Sequence, residues 1–128
     1  MKRTVLIVAS LFALSACTTA PTRTNIDKFQ SKQSGRIAKT DVPAFTDCVM
    51  DGFNESHSIL TTVSVKQQRR TNGYRVETFA GSSILIMSAD IFDDGHVELW
   101  ESEVAALINT QGERTAFAEC LKKYGLAQ

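Results

Sequence analysis

The chain reads as an α+β domain: a four-stranded antiparallel meander with one helix before it and one after it, both packed on the same face of the sheet. Three observations carry this. Apolar residues follow helical spacing at Phe45, Cys48, Val49 and Phe53, and again at Phe117, Cys120, Leu121 and Tyr124. Between these stretches the apolar period changes from 3.6 to two. The period-two region is cut by Asn72-Gly73 and by Asp93-Asp94-Gly95, both strong turn signals. An order of helix, four strands and helix needs only short connections.

Folded structure is expected to begin at Asp41, which can N-cap a helix with Pro43 in its first turn, where a missing N–H costs nothing. Ile59, Thr61, Val63 and Val65 alternate with polar residues as far as Arg70, giving the first strand, and Asn72-Gly73 turns the chain into a second at residues 74–80. With Thr71 facing Tyr74, Val63 and Val65 share a face with Tyr74, Val76 and Ala80. Lys66, Arg70, Arg75 and Glu77 then point the other way. After Gly81-Ser82-Ser83 come a third strand, residues 84–92, and a fourth, residues 96–100. A short helix over residues 104–108 leads to Thr110-Gln111-Gly112-Glu113, which reads as a capping box for the last helix. Gly125 followed by Leu126 reads as its left-handed stop. Phe45-Thr46-Asp47-Cys48-Val49 and Phe117-Ala118-Glu119-Cys120-Leu121 share a pattern; no other internal similarity supports a duplicated unit.

The register of the last hairpin decides what the sheet shows its surroundings. A two-residue Asp94-Gly95 turn would bury Asp90 beside Leu99 as an unpaired carboxylate. A three-residue loop with Gly95 at the bulge position avoids this and sets Phe92 opposite His96. Leu85, Met87, Ala89, Ile91, Val97 and Leu99 then form the core face. The outer face carries Asp90, His96 and Glu98 together with Phe79, Ile84, Ile86, Phe92 and Trp100. Such an apolar cluster on the side away from the helices is unexpected in a solitary domain. Three readings stand: a docking surface for another protein formed by Trp100, Ile84, Ile86 and Phe79, a surface covered by the preceding chain through Ile26, Phe29 and Ile37, or a shifted register.

The front of the chain speaks to address. Lys2 and Arg3 precede an apolar stretch at residues 4–14, and the stretch ends in Leu14-Ser15-Ala16-Cys17. A cationic region, an apolar run and small residues before a cut make an export signal, and a run of roughly a dozen residues is well short of the about 20 that span a bilayer. The four residues resemble the lipobox of bacterial lipoprotein precursors. The resemblance implies removal of residues 1–16, a diacylglyceryl group on the sulfur of Cys17 and acylation, such as with palmitate, of its new amino terminus. In such lipoproteins of Gram-negative bacteria, Asp after the Cys favours retention in the inner membrane. Thr18 stands there instead, which implies outer-membrane anchorage with the domain facing the periplasm.

Removing the signal leaves about 112 of the 128 residues, enough for one modest core. The formal net charge of zero hides an asymmetry: residues 18–40 carry Arg23, Lys28, Lys32, Arg36 and Lys39 against Asp27 alone, whereas acids outnumber bases from Asp41 onward. Residues 17–40 are therefore read as the lipidated Cys and a flexible basic tether, with a reach of roughly 25 Å, and residues 41–128 as the domain. With Cys17 taken by lipid, Cys48 and Cys120 are an even pair in an oxidising compartment, and both lie on buried helical stripes. A disulfide is expected. It closes a loop of about 73 residues, which stabilises by roughly 4 kcal/mol in the chain-entropy model.

Chemistry-bearing motifs are sparse. The stretch from Asp90 to Glu101 places acids where an EF-hand loop has positions one, five, nine and twelve and Gly95 at six, but Phe92 occupies the third, which needs an oxygen ligand. No metal site and no cofactor are assigned. His57 and His96 are the only histidines, no Gly-x-Ser-x-Gly elbow or phosphate loop occurs, and no catalytic residue follows. Lys66-Gln67-Gln68-Arg69-Arg70 lacks interleaved aromatics, so nucleic acid is not expected as a partner. This basic tip is read as balancing the acidic one at Asp93 and Asp94. The expected partners are the membrane, through the lipid, and an envelope protein. Two functions fit: a non-enzymatic accessory lipoprotein in envelope assembly or secretion, or an inhibitor or immunity lipoprotein that blocks an incoming enzyme, phage or plasmid.

Overall fold

A computed structural model of the chain describes residues 21–57 and 62–127. The lipobox and Cys17 lie outside the described residues, as do Ile59 and Thr61 of the expected first strand. In chain order the elements are β1 (Phe29–Arg36), α1 (Val42–Glu55), β2 (Val63–Arg70), β3 (Gly73–Ala80), β4 (Ile84–Phe92), β5 (His96–Ser102) and α2 (Gln111–Tyr124), with a 3₁₀ turn at Glu103–Leu107 where a short helix was expected. The fold is α+β, but the antiparallel sheet has five strands in the order β1-β5-β4-β3-β2.

The added strand comes from the stretch read as tether. Phe-Gln-Ser-Lys-Gln-Ser-Gly-Arg shows no apolar alternation, because an edge strand is held chiefly by backbone bonds and only Phe29 is buried. β1 pairs with β5 from Phe29 opposite Ser102 to Arg36 opposite His96, with a bulge between Ser31 and Gln33. Ile37 then enters the core, 2% exposed. The end of α2 is fixed against it: Leu126 N donates to Arg36 O at 2.8 Å, and Ile37 bridges Gly125. Gly125 has extended backbone (φ −64, ψ 139) instead of the expected left-handed stop. Its value is closeness, since a Cβ there would meet Leu121 O at 2.3 Å.

Both helices lie on one face of the sheet. Val42, Phe45, Val49 and Phe53 of α1 and Phe117 and Cys120 of α2 pack on Val76, Met87, Ala89, Ile91, Val97 and Leu99. The Phe45 and Phe117 rings meet edge to face at 5.6 Å. Between the helices the side chains are small: a Cβ on Gly52 would stand 2.6 Å from that of Ala116, so only Gly permits this approach. The Cys48–Cys120 disulfide joins the helices there, with its Cα atoms 6.0 Å apart. Asp41 and Thr110 occupy the two N-cap positions, yet neither side chain caps a backbone N–H.

One hairpin has the expected register, and the other two connections differ from it. The β4–β5 hairpin has the three-residue loop, with Ile91 opposite Val97 and Gly95 at φ +92, where a side chain would strike Ile37 O. The β2–β3 turn instead centres on Thr71 and Asn72, so that Arg70 faces Gly73 and Val65 faces Thr78. Gly73 belongs to the sheet: at φ +157 it lies beneath Ile91 O, which a Cβ would approach to 2.1 Å. A register change of two leaves every side chain on its expected face. At β3–β4, however, a bulge sets Phe79 opposite Leu85 and Thr78 opposite Met87. Ile86 is the extra residue. It turns into the core at 0% exposure, and Leu85 moves to the outer face.

Candidate binding surfaces

The bulge dismantles the expected apolar cluster. Of Trp100, Ile84, Ile86 and Phe79, only Trp100 and Phe79 stand on the outer face. Ile86 is core, and Ile84 faces Ala80 at the end of β4, 41% exposed, on the register of the core side. The two remaining aromatics are each covered by a cation: Arg23 lies over Trp100 at 4.7 Å, and Lys66 Nζ over Phe79 at 4.7 Å.

Arg23 comes from the segment before β1, which crosses the outer face of the sheet. It sits also over Phe29, at 5.1 Å, and its Nη2 donates to Asp90 Oδ2 at 2.7 Å. Arg75 Nε donates to Asp90 Oδ1 at 2.5 Å from the neighbouring strand. Asp90 is thus buried, 6% exposed, between two guanidinium groups. A buried charge is tolerable only when paired. Of the three residues expected to cover this face, Phe29 does so as the start of β1, Ile37 goes to the core and Ile26 remains 66% exposed.

The polar groups around this pair are linked. Glu98 accepts from Trp100 Nε1 at 2.9 Å and contacts His96 Nε2 at 2.8 Å, and the His96 ring stacks on Phe92. Glu77, 7% exposed, lies beside Arg75. Burial pushes its carboxyl above the ordinary value, and Asp90 pushes the same way against the pull of Arg75, Arg70 and Arg23. Glu101 behaves oppositely: burial would raise it, but hydrogen bonds from Thr110 and Lys32 outweigh burial and lower it. At the hairpin tips Arg69 donates to Asp93 at 2.9 Å and to Gly73 O at 2.8 Å, so the basic and acidic tips do meet.

These pairings also answer the calcium resemblance. The stretch from Asp90 to Glu101 is a β-hairpin whose acids are engaged separately: Asp90 and Asp93 by arginines, Asp94 by the His96 backbone N–H, Glu98 by Trp100 and His96, and Glu101 by Thr110 and Lys32.

On the opposite side of the molecule, α1 and α2 enclose an open groove of about 830 Å³. Ala44, Cys48, Gly52, Ala116 and Cys120 line it, Asp47, Asp51, Glu55, Glu119 and Lys123 stand exposed along it, and Tyr124 is half-buried at its side. The close Gly52–Ala116 approach, which brings two small residues face to face, keeps this floor shallow and wide. The helical repeat that places Asp47, Asp51 and Glu55 four apart puts all three on one edge.

One further pair joins residues far apart in the chain. His57 Nε2 contacts Glu113 Oε1, and Glu113 is fully buried at the start of α2. The expected capping box fails for this reason: the Glu113 carboxylate turns to His57, and the Thr110 hydroxyl donates to Glu101 Oε2 at 2.6 Å. A residue separation of 56 leaves no local signal for it. Comparison of the chain with protein-family models, with curated proteins and with solved structures finds no match.

Proposed function

We propose that this protein is a non-enzymatic lipoprotein, anchored by Cys17 in the outer membrane, whose periplasmic domain works by holding another envelope protein in the groove between α1 and α2. The groove carries the proposal, since it joins an apolar floor to an edge of like charges. A segment presenting Lys or Arg beside small apolar residues matches both. Rigidity supports the same reading: the disulfide and the small-residue contact fix the spacing of the two walls, which lowers the ordering cost of binding. The non-enzymatic part is supported by the lack of an available nucleophile motif: both cysteines of the domain are joined in the disulfide, and the sequence holds no Gly-x-Ser-x-Gly elbow or phosphate loop. The acidic edge favours the inhibitor or immunity alternative too, for an incoming enzyme with a cationic cleft.

A photo-crosslinking side chain placed at Thr115, in the groove, tests the binding site in cells. One discrete adduct is expected, and Asp51→Lys should remove it. No adduct, or an adduct indifferent to that charge reversal, would eliminate the groove. The identity of the adduct, a resident envelope protein or an enzyme of foreign origin, separates the two functions. Anchorage is tested apart from binding: Cys17→Ala should abolish lipid labelling and detergent-phase partitioning, and unchanged partitioning would end the lipoprotein reading.

A further inference from the structure

Resting on the reading of Cys17 as the lipid-bearing residue, we propose that the outer face of the sheet along β2 and β3 lies against the bilayer, with Lys66 and Arg70 on anionic, phosphate-bearing headgroups.

The argument starts from reach. Pro21, Thr22, Arg23 and Thr24 line a cavity of about 300 Å³ with Arg70, Arg75, Phe79, Ser83 and Leu85, so this part of the chain sits on the outer face over β3 and β4, next to β2. Only four residues of advance separate Cys17 from Pro21. Even fully extended, that length spans roughly 14 Å. The domain is therefore held close to its anchor, in place of floating on the long tether that composition suggests. Helices are about 10–12 Å thick and lie on the other side of the sheet. An orientation with α1 and α2 on the membrane would leave Pro21 roughly 20 Å from it, which four residues cannot span.

Charge then selects among the orientations that reach allows. Lys66 faces Glu77 and Arg70 faces Gly73 on the outer side of β2, both side chains exposed. Among the described residues neither is in a salt bridge with a carboxylate. The acids of this face are committed elsewhere: Asp90 is buried between Arg23 and Arg75, Glu98 holds Trp100 and His96, and Glu77 is buried. The far side carries Asp47, Asp51, Glu55 and Glu119, which an anionic surface repels. Attraction at β2 and repulsion at the helices turn the domain the same way. The lipid supplies retention, and the two cations set the posture. That posture leaves the groove facing the periplasm.

The lipidated full-length mature protein, bound to vesicles, provides the test. Lysine acylation by a water-soluble reagent is followed by mass spectrometry at Lys66 and, as the far-side control, at Lys123. On vesicles containing phosphatidylglycerol the Lys66 rate should fall about fivefold or more relative to pure phosphatidylcholine vesicles, with Lys123 unchanged and the difference erased by high salt. Equal Lys66 rates on both vesicles would overturn the proposal, as would protection of Lys123 in its place. Protection by inorganic phosphate on neutral vesicles would mark a site for a soluble anion and overturn the membrane assignment. Flotation with the neutral vesicles reports the lipid itself. A chain that fails to float removes both readings, whereas one that floats with Lys66 unprotected removes this one alone.

Discussion

The two faces of the sheet are covered by different physics. On one, α1 and α2 bury Phe45, Val49, Phe53 and Phe117 against Val76, Ala89, Ile91 and Leu99, and no partner needs a particular orientation. On the other, a segment of a few residues is fixed by Arg23, which pairs with Asp90 and lies over Trp100 and Phe29. Hydrophobic burial is roughly proportional to area and tolerant of detail. A buried ion pair is directional and leaves a large penalty if one member is lost. The helix face therefore sets whether the domain folds, and the outer face sets where the segment before β1 lies.

Truncations on the two faces should differ in kind as well as size. Phe45→Ala, at the junction of both helices and the sheet, is expected to cost about 3–5 kcal/mol, read from the denaturant midpoint of a single transition. A loss under about 1 kcal/mol would show that the helices are not the main support. Asp90→Ala should cost about 3 kcal/mol by stranding Arg23 and Arg75. Unlike Phe45→Ala, it should also speed tryptic cleavage after Arg23 under native conditions, because the covering segment loses its hold. Cleavage as slow as in the parent would mean that Trp100 and Phe29 suffice and the ion pair is incidental.

The same contrast explains what could be read in advance. The helix stripes and the period-two strands advertise burial residue by residue, so both helices, four strands, the disulfide partners and the β4–β5 register were legible. β1 was not, because an edge strand such as Phe29–Arg36 is specified by backbone pairing and its side chains carry no apolar alternation. The bulge at Ile86 was equally hidden: Ile84-Leu85-Ile86-Met87 is apolar at every position, so nothing in it fixes which residue is the extra one. For the charged pairs the difficulty is range. Arg23 meets Asp90 across 67 residues and His57 meets Glu113 across 56. One signal is present in the sequence: the register that keeps Asp90 out of the core leaves it among apolar neighbours, where a carboxylate needs a cation. Arg75, on the same expected face, and the basic stretch before Asp41 are the available sources.

Glu77 gives the mildest test of the comparison, since it measures what the outer face tolerates without a dedicated partner. Burial raises its carboxyl above the ordinary value, with Asp90 adding to the rise and Arg75 opposing it. For an acid, a raised folded-state value means that the folded chain holds the proton more tightly than the unfolded chain. Below the ordinary carboxylate value, near 4.3, both states are protonated and the residue carries no ionisation cost. As pH rises from there, the unfolded chain ionises first and gains relative to the folded one, until the folded carboxyl ionises as well and the cost becomes constant. Glu77→Gln removes this cost while keeping the shape. Its melting temperature relative to the parent should therefore increase between pH 4 and pH 7, by a smaller amount than either truncation lowers it. A difference that stays constant over that window would show that the guanidinium groups of Arg75 and Arg70 fully offset burial. A difference that shrinks would show that they exceed it, making Glu77 a paired residue like Asp90 and the outer face uniformly ionic.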